Sequence, residues 1–65
     1  MNLREIRTAR HITQREVAEY LGTTVRAIAY YETGEREPNI AGLIALADFF
    51  GVSLDYLVGR TDQPG

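Results

Sequence analysis

Arg26, Ala29, Tyr30 and Thr33 stand at i, i+3, i+4 and i+7, the spacing that puts four side chains on one face of a helix. Their chemistry suits a reader of base edges. The Arg26 guanidinium can donate as a fork to guanine O6 and N7, and Val25, one position earlier, can press on a thymine methyl. The Tyr30 hydroxyl can bond a base edge or a phosphate, and the small Ala29 lets a helix lie close against its target. The same set also fits a plain solvated helix surface, although a tyrosine flanked by alanine and arginine is an unusual way to build one.

Such a face needs a frame, and the flanking sequence supplies one. QREVAEYL and VRAIAYYE are two helical patterns joined by the turn GTT. Val17, Ala18 and Leu21 form the buried side of the first; Ile28 and Tyr31 form that of the second. Ala18 is small where two backbones must cross, and Gly22 can adopt the positive φ that ends a helix. This is the spacing of a helix-turn-helix, whose second helix enters the DNA major groove with its N-terminal residues toward the base edges. With Ile28 at the centre of the buried face, Tyr31 and Thr24 fall within about 60° of it and Glu32 lies close by.

The rest of the chain reads as all-α, a compact domain of five helices with the helix-turn-helix formed by helices 2 and 3. Asn2 is the expected cap of helix 1, with Glu5 completing a capping box; Leu3, Ile6 and Arg10 share a face, with Arg7 beside it. Thr13 and Glu16 make a second box at the start of helix 2. Thr24 caps helix 3, which runs to about residue 32. Asn39 caps helix 4, about 40–50, with Ile40, Leu43, Leu46, Ala47 and Phe50 inward and Gly51 as the stop. Ser53 caps helix 5, 54–58, and Gly59 ends it. Residues 1–59 form the expected domain and 60–65 a disordered tail. Ile44, Phe49, Tyr56 and Val58 remain once the inward faces are assigned. They fit either the edge of the core or an apolar patch that pairs with a second copy, for which Tyr56, Phe49 and Val58 are the candidates.

Composition narrows the function classes. A chain of 65 residues buries only about 60% of its unfolded surface, so its core is small. It has no cysteine, which excludes disulfides and thiolate metal sites and suits a reducing cytoplasm, the expected location. No signal peptide or membrane span is expected, because Met1 opens on a polar helix start and the apolar residues are interrupted. Net charge is −2, unevenly spread: residues 1–31 hold five arginines against three glutamates, whereas 32–65 hold two arginines against three glutamates and three aspartates. The basic half contains the helix-turn-helix, and all its bases are arginine, suited to planar contacts with phosphate or guanine. His11, the lone histidine, reads as a surface or capping residue, so no metal is expected. Glu35 and Glu37 resemble an acid/base pair, but short helices in so small a chain enclose no cleft around them. Neither GxGxxG nor GxxxxGK spacing occurs. No enzymatic activity and no cofactor are expected.

The ordered stretches LREIRTAR, TQREVAEYLGTT, AIAYYETGEREPN and LIALADFFGVSLDYLVG resemble the lambda-repressor-like helix-turn-helix family, the Cro/CI-type or XRE-type domains, over residues 3–59. The resemblance implies a domain that binds operator half-sites, usually as a dimer, to regulate transcription. It implies that Gln14 anchors the start of helix 2 to a phosphate and that Thr24, Val25, Arg26, Ala29 and Tyr30 face the operator. It also implies that Arg7 and Glu32 form a buried ion pair; on the residues alone, Arg10 stands as the competing partner for Glu32. The chain departs from the family at Gly34-Glu35-Arg36-Glu37-Pro38, where a basic loop is usual, and at Tyr30, where relatives are often polar or basic. Both changes lower the expected non-specific affinity, which phosphate neutralisation supplies. Arg36 remains a candidate backbone contact, with Gln14, Thr24, Thr33 and Asn39 as uncharged ones. Two functions stand as expectations. The first is a sequence-specific transcriptional regulator, a repressor, bound as a homodimer to a palindromic site on double-stranded DNA. The alternative is a helix-turn-helix used for protein–protein interaction, with weak DNA binding.

Overall fold

The computed structural model describes residues 1–65. It contains five helices, α1 (Leu3–Ala9), α2 (Gln14–Leu21), α3 (Val25–Thr33), α4 (Ile40–Phe50) and α5 (Leu54–Val58), and no strand. Four of them begin on a side-chain cap. The hydroxyls of Thr13, Thr24 and Ser53 and the Oδ1 of Asn39 each accept the backbone N–H three residues on, at 2.8 to 3.1 Å. At α2 the box closes, because the Glu16 carboxylate accepts the Thr13 N–H at 2.9 Å. None of the helices is long and apolar enough to cross a membrane.

Asn2 departs from the expected capping box. Its side chain makes no bond to α1, and its backbone sits at φ −94°, ψ 23° instead of in the extended cap conformation. It works as a donor at the other end of the chain: Nδ2 donates to the Tyr56 carbonyl at 2.9 Å and the N–H to the Leu57 carbonyl at 2.8 Å. Carbonyls in the last turn of a helix lack intrahelical donors. Asn2 satisfies that of Leu57, adds a second bond to that of Tyr56, which also accepts the Gly59 N–H, and ties the start of the chain to α5.

Helices of 5 to 11 residues do not persist alone in water, so packing must hold them. Each contributes one completely buried side chain to a shared centre: Leu3, Val17, Ile28, Leu46 and Leu57. Ile6, Ala18, Ala47, Phe50 and Val52 complete the core. Ile40, expected inward, is instead 74% exposed. It starts α4 beyond the end of the core, and the buried place at that end belongs to Pro38. Gly42 permits this arrangement, since a Cβ there would lie 3.0 Å from the Pro38 Cβ. Residues 60–65 carry no regular secondary structure, and the Pro64 carbonyl accepts the Ser53 N–H at 2.9 Å.

If Asn2 stabilises through its donors, Asn2→Asp, which keeps a capping acceptor, should lose about as much as Asn2→Ala. Each should cost about 1 kcal/mol, a fall of roughly 4–8 °C in melting temperature for a domain of this size. An Asp variant as stable as the wild type would return Asn2 to a capping role.

Candidate nucleic-acid interface

The sequence of α3 settles which way it faces. Ile28 is completely buried, while Val25, Arg26 and Thr33 are exposed and Ala29 and Tyr30 half-buried along the outer side. Gly22, at φ +70°, ends α2 and turns the chain into Thr23 and the Thr24 cap, so α2 packs across α3. Arg26, Ala29, Tyr30 and Thr33 thus share one surface, as their spacing predicts, with the exposed Val25 at its N-terminal edge. Thr24 stands at the mouth of this surface with its hydroxyl proton free, because its oxygen is the partner that accepts the Ala27 N–H. Thr33 is engaged within the fold: its hydroxyl donates to the Tyr30 carbonyl at 3.2 Å and accepts the Glu35 N–H at 3.4 Å.

The inner side of α3 ends on Glu32, whose side chain is 5% exposed. Arg7 meets it as a fork, Nε to Oε2 at 2.6 Å and Nη2 to Oε1 at 3.3 Å, and its third nitrogen donates to the Ile12 carbonyl at 2.8 Å. Arg10 is therefore not the partner; its guanidinium lies 5.8 Å from the centre of the Phe50 ring. Gln14 joins the cluster by donating Nε2 to Glu32 Oε1 at 3.1 Å. Spacing gave no sign of this bond, which depends on how α2 crosses α3. It leaves Gln14 one amide proton and its carbonyl oxygen for any outward contact.

The loop after α3 brings two further residues to the rim. Gly34, at φ +83°, turns the chain, and the Arg36 N–H donates back to the Tyr30 carbonyl at 3.3 Å. The Arg36 guanidinium then lies 5.2 Å from the centre of the Tyr30 ring. The ion pairs of the structure are Arg7–Glu32 and an exposed Arg60–Asp55 contact at 4.0 Å, so Arg36 pairs with neither neighbouring glutamate. Asn39 gives its Oδ1 to the α4 cap and keeps its amide protons. His11 is exposed and closes α1 in the left-handed region, at φ +57°.

The pairing candidates are less open than periodicity suggests. Phe49 is half-buried, its ring 4.5 Å from that of Tyr20 and 5.0 Å from that of Phe50. Tyr56 is half-buried against the core. Neither is a freely exposed side chain, because Tyr20 of α2 covers part of Phe49 and the core covers part of Tyr56. Val58 is exposed, and Leu54 shares its face of α5.

Residues 3–57 match the helix-turn-helix family model. The chain belongs to the helix-turn-helix family. The lambda-repressor-like resemblance carried by its ordered motifs holds across that span. Among helix-turn-helix relatives, it is 42% identical over 57 residues to the uncharacterized HTH-type transcriptional regulator YqaE of Bacillus subtilis, covering 88% of this chain and 49% of YqaE. It is 36% identical over 62 residues to the uncharacterized HTH-type transcriptional regulator YobD of the same organism, covering 95% of this chain and 55% of YobD. It thus spans about half the length of these relatives. The crystal structure of a transcriptional regulator from Listeria innocua is similar at TM-score 0.86 and 37% identity, over 95% of this chain and 58% of that one.

For this helix-turn-helix, Glu32 sets the attachment of α3. Removing it leaves the Arg7 guanidinium nearly buried without its partner, which costs on the order of 3–5 kcal/mol. Glu32→Ala should therefore melt far below Glu35→Ala, a change in the exposed loop. Equal melting temperatures for the two variants would show that the pair contributes nothing to stability.

Proposed function

We propose that this chain is a sequence-specific DNA-binding transcriptional regulator, a repressor that inserts α3 into the major groove. The observation that carries the reading is the pairing of an exposed Val25 and Arg26 at the first turn of α3 with a fully buried Ile28 beneath. The end of a helix that reaches base edges is thereby both accessible and rigidly seated. The regulator names borne by YqaE and YobD support it. Repression asks for nothing more than occupancy of a site, so binding alone suffices, with no catalytic step and no cofactor. The cysteine-free composition suits a cytoplasmic location.

The site it binds is an inverted repeat occupied by two copies. The longest dimension of the Cα trace is 28 Å, whereas successive major-groove faces of a duplex lie about 34 Å apart. One copy therefore reads one half-site. The exposed Val58, next to Leu54, with the half-buried Tyr56 and Phe49 behind, is the surface proposed to meet the second copy. The acidic residues Glu35 and Glu37 and the net charge of −2 favour a second reading, a helix-turn-helix that binds protein and holds DNA weakly.

Selection from random duplex DNA, followed by retention at low and moderate salt, separates the two. The regulator reading expects recovery of an inverted repeat and a loss of about 1–3 kcal/mol for Arg26→Ala, with preference relaxed at one position per half-site. Failure of the wild type to retain any duplex at low salt would leave the protein-interaction module standing. A uniform loss across all sequences for Arg26→Ala would make that residue a backbone contact instead. For assembly, Val58→Asp should weaken binding to the full site more than to a half-site duplex. An equal loss on both would place Val58 outside the contact between copies.

A further inference from the structure

We infer that Tyr30 is a positioning residue for Arg36, and that the two together carry one phosphate contact at the rim of the α3 surface. The inference rests on the DNA-binding reading above and assigns a role within it. Arg36 is the only base in a loop that also holds Glu35 and Glu37, and in a flexible loop either carboxylate could take its guanidinium. The structure places the guanidinium elsewhere, 5.2 Å from the centre of the Tyr30 ring. The backbone brings the two residues together, because the Arg36 N–H donates to the Tyr30 carbonyl at 3.3 Å and returns residue 36 toward residue 30, and the ring then seats the guanidinium.

The difference matters for what the cation can still do. A carboxylate would occupy the edge of the guanidinium, where its N–H donors lie, and would cancel its charge. An aromatic ring holds the guanidinium through its face and leaves the edge donors free. Tyr30 lies on the outer side of α3, half-buried, while Arg36 is exposed. The charge is therefore kept beside a groove-bound helix, where the flanking phosphates run. On this account Tyr30 acts through its ring more than through its hydroxyl, and the loop keeps one working cation despite a negative balance.

The test is the salt dependence of binding to the selected duplex for Arg36→Ala, Tyr30→Leu, Tyr30→Phe and the Arg36→Ala/Tyr30→Leu double variant. Thermal melting serves as a check that each is folded. Losing one phosphate contact should make the slope of log K against log salt shallower by about 0.9. Arg36→Ala and Tyr30→Leu should each show that change, Tyr30→Phe should keep the wild-type slope, and the double variant should lose no more than either single. In the free protein, the Arg36 side-chain methylenes should show ring-current shifts in NMR spectra of the wild type and Tyr30→Phe, absent in Tyr30→Leu. A Phe variant as impaired as the Leu variant, or additive slope losses in the double variant, would overturn the inference while leaving DNA binding intact. A wild type that retains no duplex overturns the DNA-binding reading and the phosphate role with it, whether or not the ring-current shifts are present.

Discussion

The Glu32 carboxylate is where the first three helices meet. It accepts two bonds from Arg7 of α1 and one from Gln14 at the start of α2, and it is itself part of α3. Arg7 extends the cluster to the Ile12 carbonyl in the α1–α2 connection. A nearly buried charge is tolerable only when its hydrogen-bonding capacity is met by a well-aligned partner, and here no buried side-chain polar atom is left without one. Apolar contacts among Leu3, Val17 and Ile28 hold these helices together, but such contacts are non-directional and permit sliding or rotation. The forked arginine and the amide permit neither. The angle at which α3 leaves the body, and with it the direction of Val25 and Arg26, depends on this cluster.

The legible parts of the sequence were those whose cause is local. Thr13, Thr24, Asn39 and Ser53 each bond an N–H three residues away, so the cap and its partner are read in one glance, and Gly22, Gly34, Gly51 and Gly59 mark the stops. The period of Val17, Ala18 and Ile28 gave the inward faces of α2 and α3, and the outer face of α3 followed from the same period. Asn2 shows the limit. Its residue type is right for a cap, but the carbonyl it serves lies 54 positions away, and no local rule weighs a distant acceptor against a near donor. Ile40 failed for a related reason: helical phase says which side faces inward, but not where along the axis the core ends.

The candidate interface divides in the same way. Arg26, Ala29, Tyr30 and Thr33 fall on one surface by angle alone, and Val25 joins them by its place at the helix start. The Gln14 bond to Glu32 and the seat of Arg36 on Tyr30 required the crossing of α2 over α3 and the path of a loop, which sequence spacing does not encode. Formal charge was the least informative quantity. A net value of −2 describes the whole chain, whereas a partner meets only the potential of the surface presented to it.

The split of α3 into an inner and an outer side has a consequence for how such a chain can change over time. Ile28, Tyr31 and Glu32 answer to the body of the protein, and substitutions there are penalised through folding. Val25 and Arg26 are exposed and Ala29 half-buried, and none makes a hydrogen bond or ion pair through its side chain, so substitutions there carry a smaller penalty. One helix thus carries two alphabets under separate selection, the first nearly frozen and the second open to drift. A lineage could exchange its target by rewriting three or four letters, without passing through an unfolded ancestor.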